Sequence, residues 1–208
     1  MKRNRLWVSF FSLVLLVLLV LVAAGNSKNT DKMPFYFDKE PFINPRLIAD
    51  MTTWLSDNGD QVVAIDLNGA QHCNRYFAET KTQATKGENL YVYFEEDGES
   101  FGYQLIGKTD SGIYVLETSS GGEGSGVFKE LMLVVIERDK NLCYRKEQAV
   151  VELNNDRLVI KKLGIISLGD RYSGLLKVKG DSLYVGRDEN GRTGIFQNDL
   201  LIKIKDVR

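Results

Sequence analysis

From Asp60 onward the chain is written in short alternations of apolar and polar residues, cut off by Gly, Asn or Asp. Period-two alternation places every second side chain on one face of a strand, and the punctuation turns the chain back antiparallel to itself. Residues 61–67 read as a strand ending at Asn68-Gly69, a dipeptide that favours a tight hairpin turn. Residues 90–95 and 100–106 flank Glu96-Asp97-Gly98, a second hairpin signal. Residues 113–118 and 127–137 flank a glycine-rich stretch, and residues 142–153, 158–162, 165–168, 175–179, 182–187, 193–196 and 200–204 continue the series. The pattern predicts a mainly β domain, an antiparallel β-sandwich or an open barrel of hairpins. Asn155-Asp156, Gly180-Asp181 and Asn198-Asp199 each read as a turn before a strand start. Their unequal spacing fits a meander better than a solenoid or propeller.

One amphipathic helix is expected over residues 44–59, N-terminal to the strands. Asn44 suits the cap, Pro45 the first helical position and Gly59 the exit. Leu47, Ile48, Met51, Trp54 and Leu55 form one apolar stripe at helical spacing, suited to covering a sheet face or barrel end.

Ahead of the domain, residues 6–25 are almost wholly apolar, interrupted only by Ser9 and Ser12, and Lys2, Arg3 and Arg5 precede them. A helix of that length crosses a hydrocarbon core of about 30 Å. The basic flank keeps the N-terminus cytoplasmic and sends the rest of the chain outside. The expectation is therefore a single-pass inner (plasma) membrane protein whose segment from Leu6 to Ala24 contacts the lipid bilayer. The alternative is a secreted or periplasmic protein released by cleavage after Val22-Ala23-Ala24. The apolar stretch exceeds the usual signal-peptide core of about 7–15 residues, which favours the anchor. The layout is then an anchor or signal segment over 1–25, a spacer with an aromatic extended piece over 26–43, and a β-rich domain over 44–208. Pro34, Phe35, Tyr36, Phe37, Pro41 and Phe42 make up the aromatic piece.

Cys73 and Cys143 are the only cysteines. In an oxidising compartment an even count suggests a bridge, worth about 4 kcal/mol for a loop of this length in the chain-entropy model. Counting thiols in the native protein checks this: none should titrate, and two would exclude the bridge. The overall charge of −1 hides an asymmetry. Residues 26–156 carry 13 basic and 22 acidic side chains, a net of −9, whereas residues 157–208 carry 11 and 6, a net of +5. The basic residues are spread along strands, which reads as solvated outer faces. An acidic partner, a lipid surface or a wall polyanion is the alternative. No nucleic-acid partner is expected.

Motifs for chemistry are sparse. His72 is the only histidine, which excludes a multi-histidine metal site within one chain. It adjoins Cys73, but neighbours on a strand point to opposite faces, so a His–Cys nucleophile pair is not expected. The run Ser119, Ser120, Gly121, Gly122, Glu123, Gly124, Ser125, Gly126 is neither a nucleophile elbow, since Glu123 and Val127 hold the required glycine positions, nor a P-loop. As an eight-residue hairpin loop it exceeds the usual 2–5 residues, which makes it the best candidate for a ligand or partner loop. Glu95, Glu96, Asp97 and Glu99 cluster at a turn without the alternating spacing of a calcium loop, and read as a solvated tip. No catalytic, cofactor or metal residues are assigned. The expectation is an extracytoplasmic binding or interaction protein with an envelope protein partner. The alternatives are a hydrolase of envelope carbohydrate or peptide, or an inhibitor, immunity-type or scaffold subunit of a membrane complex.

Overall fold

The computed structural model describes residues 42–52, 62–70, 81–84, 90–122, 124–190 and 196–205. A short helix α1 (Pro45–Asp50) is followed by strand β1 (Ala64–Asp66) and a single turn of helix α2 (Leu67–Ala70). Strands β2 (Lys81–Ala84), β3 (Leu90–Glu96), β4 (Glu99–Lys108), β5 (Tyr114–Gly121), β6 (Val127–Arg145) and β7 (Val150–Asp170) follow. The chain ends with β8 (Leu176–Lys179), β9 (Ser182–Val185) and β10 (Leu200–Lys203). The protein is mainly β, as the period-two pattern predicts, and its large antiparallel sheet curls into a half-barrel. Among the described residues no helix is long and apolar enough to cross a membrane. Residues 6–25 lie outside them.

The large sheet has the order β1-β7-β6-β5-β4-β3-β2, and the small one the order β10-β9-β8. From β2 to β7 the chain is a meander, and β1 closes onto the far side of β7 through Ala64↔Lys161 and Asp66↔Val159. Each face of the large sheet has its own core. Tyr103, Leu116, Met132 and Ile160 meet Leu47, Ile48 and Met51 of the α1 segment and Leu67 of α2. On the opposite face Val115, Leu131 and Leu168 meet Tyr172, Leu183 and Val185 around the small sheet. A sheet covered on both sides excludes water from both sets of side chains. Val115, Leu116, Glu117 and Thr118 are accordingly buried in succession, and the matching sequence is a continuous apolar run, residues 131–136, rather than an alternation.

Local chemistry sets the turns. Asp97 and Gly98 have φ of 49° and 82°, both in the left-handed region. This is the two-residue hairpin turn whose twist matches the strands it joins, and Glu96 pairs with Glu99 across it. The Gly180-Asp181 turn between β8 and β9 also ties the small sheet to the β4–β5 connection: Asp181 Oδ1 accepts from the Ser111 amide at 2.8 Å. That N–H holds the Asp181 carboxyl below its ordinary range.

Five sequence expectations are corrected. The helix expected over 44–59 closes at Asp50, where Met51 and Thr52 donate to Ile48 and Ala49 and the α ladder tightens into three-residue turns. Trp54, Leu55 and Gly59 lie outside the described residues. Asn68-Gly69 forms no hairpin. Asp66 Oδ1 accepts from the Gly69 amide at 3.0 Å and caps the one-turn helix α2 instead. The strand expected over 142–153 contains a turn at residues 146–149, with Ala149 at φ 51°, so its two halves pair with each other through Leu142↔Leu153. The turn expected at Asn155-Asp156 and the break between 162 and 165 both fall inside the single strand β7. There the register shifts between Asp139 and Asn141 and between Leu133 and Val134 absorb extra residues. Turn-forming residue types here serve β-bulges, which use the same local conformations without reversing the chain. Strand β2 was not foreseen.

Tyr103, 1% exposed at the middle of β4, seats the chain ahead of α1. Its hydroxyl donates to the Ile43 carbonyl and accepts from the Ile43 amide at 2.8 Å. Burial pushes this hydroxyl's pKa far above the ordinary tyrosine value. Tyr103→Phe removes one oxygen and strands both backbone groups of Ile43. It should destabilise the domain by about 2–4 kcal/mol in chemical unfolding, whereas Leu142→Ala, at a position 66% exposed, should stay within about 0.5 kcal/mol. Equal effects would contradict this seating.

Candidate functional site

Helix α1 lies across one end of the large sheet. Asn44 caps it, its Oδ1 accepting from the Arg46 amide at 2.9 Å, and Pro45 begins it. Arg46 then reaches the tip of the β3–β4 hairpin. Its guanidinium sits 4.3 Å from the centre of the Phe94 ring and 2.7 Å from Glu96 Oε2. Phe94 in turn leans on Phe101, with ring centres 6.1 Å apart. The Arg46 Nε is buried without a hydrogen-bond partner, so the Glu96 pair and the Phe94 face carry this side chain's attachment.

Between α1 and the strand ends lies a groove of about 560 Å³. Phe94, Phe101 and Phe128 give it aromatic walls, and Phe128 is 54% exposed. Asp50, Glu96, Glu99 and Glu130 give it carboxylates, while Arg46 is the single cation among its described lining residues. Thr118, Ser120, Gly121 and Gly122 contribute hydroxyls and backbone from the β5 side. Glu130 lies on the same side of β6 as Phe128 and core Met132, where alternation would place an apolar residue. Burial raises its pKa above the ordinary glutamate value, and Lys162 works against that rise. Lys162 is itself held below the ordinary lysine value by burial, which Glu130 opposes. The Lys162 ammonium donates to the Met51 carbonyl at 2.6 Å, which ties the end of α1 to β7. The groove is thus negative, partly desolvated and aromatic, a combination suited to an extended ligand carrying both a cation and an apolar group.

The candidate loop at 119–126 is shorter than the sequence suggests. Ser119, Ser120 and Gly121 belong to β5, paired with Lys129, Phe128 and Val127, which leaves residues 122–126 as the connection. That is an ordinary hairpin length. The structure brings Ser120, Gly121 and Gly122 into the groove. Ser119 faces the other side, where it bonds the Tyr91 hydroxyl. Gly124 and Ser125 are exposed and do not line the groove, Gly126 packs beneath the Phe128 ring, and Glu123 lies outside the described residues. Glu96 and Glu99, read as a solvated tip, line the groove as well. Arg46, Phe94, Phe101, Phe128 and Glu130 were missed. Glu130 alone carried a signal, a carboxylate in a core-facing register. His72 and Cys73 lie outside the described residues, and Cys143 falls on β6 opposite Glu152. Among the described residues no three His, Cys, Asp or Glu side chains gather as a metal site.

No protein family matches the chain, and neither a curated protein nor a solved structure shows significant similarity to it.

The Glu130 shift has a consequence for stability. A carboxyl whose folded pKa is raised stabilises the fold below its unfolded pKa, and that contribution is lost as pH rises through the folded value. Glu130→Gln should therefore melt above the parent at pH 7 and match it at about pH 4. A variant that melts lower at pH 7 would contradict the desolvated placement of Glu130.

Proposed function

We propose that this chain is a membrane-anchored extracytoplasmic binding protein, held at the plasma membrane by residues 6–25. Its groove takes a basic, partly apolar peptide segment of an envelope protein partner. The observation that carries this reading is the groove itself: among its described lining residues, three phenylalanines and four carboxylates surround a single arginine that is already paired. An incoming lysine or arginine gains charge-assisted bonds from Glu99 or Glu130, and an adjacent apolar side chain gains the aromatic walls. Phe128, on the flank of the 122–126 turn, stands at the mouth.

The test is fluorescence anisotropy with two labelled tetrapeptides, Lys-Phe-Lys-Phe and Glu-Phe-Glu-Phe, against the full-length chain in lipid nanodiscs. The basic peptide should bind at least tenfold more tightly. Phe128→Ala should weaken it by about 1–3 kcal/mol, in keeping with loss of one aromatic anchor. Equal affinity for both peptides, or no loss in the variant, would remove the groove as the binding site.

One observation favours a second reading, hydrolysis of an envelope carbohydrate or peptide. Glu130 keeps its proton above the ordinary range in a groove with other carboxylates, the property of a general acid. Turnover of peptidoglycan fragments that Glu130→Gln abolishes would establish hydrolysis. Turnover that survives the substitution, or none at all, would leave Glu130 as a binding group.

A further inference from the structure

The distal halves of β6 and β7 leave the sheet. Strand β5 accompanies β6 only to Val134, and β1 accompanies β7 only over residues 159–161. Beyond those points, among the described residues, residues 136–145 and 150–158 pair only with each other. They form a two-stranded arm closed by the turn at 146–149. Such a hairpin alone is at best marginally stable in water.

The arm is two-faced. Leu142 pairs with Leu153 and Tyr144 with Val151, so these four side chains share one face. They are 66%, 65%, 63% and 57% exposed. Alternation along β6 places Arg138 and Lys140 on that same face toward the root, and neither takes part in an ion pair among the described residues. The opposite face carries the carboxylates with their partners: Glu137 with Lys161, Asp139 with Arg157 at 3.0 Å, and Glu152 with Arg145 at 2.8 Å. Among the described residues, one face thus has an apolar tip and a basic collar, and the other pairs its carboxylates with cations.

We infer that the Leu142, Tyr144, Val151 and Leu153 face of this arm docks on the anionic surface of the lipid bilayer, with Arg138 and Lys140 against the headgroups. The inference rests on the anchor reading of residues 6–25. Residues 26–41 can span at most about 55 Å, so an anchored domain cannot leave the neighbourhood of the membrane. At that range each basic residue at an anionic surface contributes about 1 kcal/mol. The alternative occupant, a second copy, fits less well. The four side chains expose on the order of 400 Å², so two arms packed face to face would bury about 800 Å², short of the roughly 1,200–2,000 Å² of a stable pair. Docking is shallow, because the backbone groups on the arm's free edges need water or headgroups as partners.

The test is photo-crosslinking of the full chain reconstituted into phosphatidylethanolamine–phosphatidylglycerol vesicles. Tyr144→p-benzoylphenylalanine samples the apolar face, and Glu152→p-benzoylphenylalanine samples the neutralised face. The expected result is a phospholipid adduct at position 144, little at 152, and a loss of about fivefold or more when Arg138→Glu and Lys140→Glu are added. A chain-to-chain adduct at 144, equal lipid adducts at both positions, or no adduct would overturn the docking. Carbonate extraction separates the two levels. Release of the chain from the vesicles sinks the anchor reading and the docking with it. Retention without a lipid adduct at 144 sinks the docking alone.

Discussion

The Tyr103 hydroxyl, buried at the centre of the large sheet, decides where α1 lies. By taking both the amide and the carbonyl of Ile43 it fixes the residue before the Asn44 cap, and the first helical turn must then start over β4. Pro45 and the Asn44 side chain leave that turn little freedom. Arg46 consequently reaches Phe94 and Glu96, and Met51 comes within reach of Lys162. The groove is the space that remains between a helix held at these points and the ends of β3, β4, β5 and β6. A helix of six residues has no stability of its own, so its position depends on these contacts more than on propensity.

Covering the large sheet on both faces has a second consequence, for charge. Glu117, buried on the small-sheet side, is neutralised by Lys129 at 2.8 Å and by the Gln104 amide. A buried carboxylate without such partners would cost several kcal/mol. Glu130, one residue from Lys129 and on the opposite face, is raised above the ordinary glutamate pKa by burial, against the field of Lys162. Two glutamates on adjacent strands are thus set to different tasks by their surroundings: Glu117 is held by its partners, and Glu130 remains available to a ligand.

The sequence read well where a local rule decided the structure. Asp97-Gly98 became the tight hairpin because both residues tolerate positive φ, and residues 113–118 and 127–137 became strands because apolar residues face both cores. It misled where one residue type serves two purposes. Asn155-Asp156 read as a turn and residues 163–164 as a break between strands, yet both sit inside a strand of 21 residues whose pairing with β6 shifts register beside them. The apolar stripe of Leu47, Ile48 and Met51 announced a helix over a sheet face, and these residues pack there, but the layer of β8, β9 and β10 on the opposite face was not legible, since no local pattern says which strands a distant segment covers. The groove was half visible. Ser120, Gly121 and Gly122 were singled out for glycine content, but Phe94 and Phe101 join them through the β3–β4–β5 pairing, and Arg46 joins them from α1, which the Tyr103–Ile43 contact seats across sixty positions of sequence.

The most direct test of the groove as the binding site is a map of the contact rather than a measure of its strength. Amide chemical shifts of the isotope-labelled full chain in nanodiscs, followed while a Lys-Phe-Lys-Phe peptide is added, would supply it. Binding in the groove predicts shifts clustered at residues 49–52, 118–122 and 128–130, with β8, β9 and β10 unchanged. Shifts centred on the small sheet or on the β6–β7 arm, or none at saturating peptide, would contradict it.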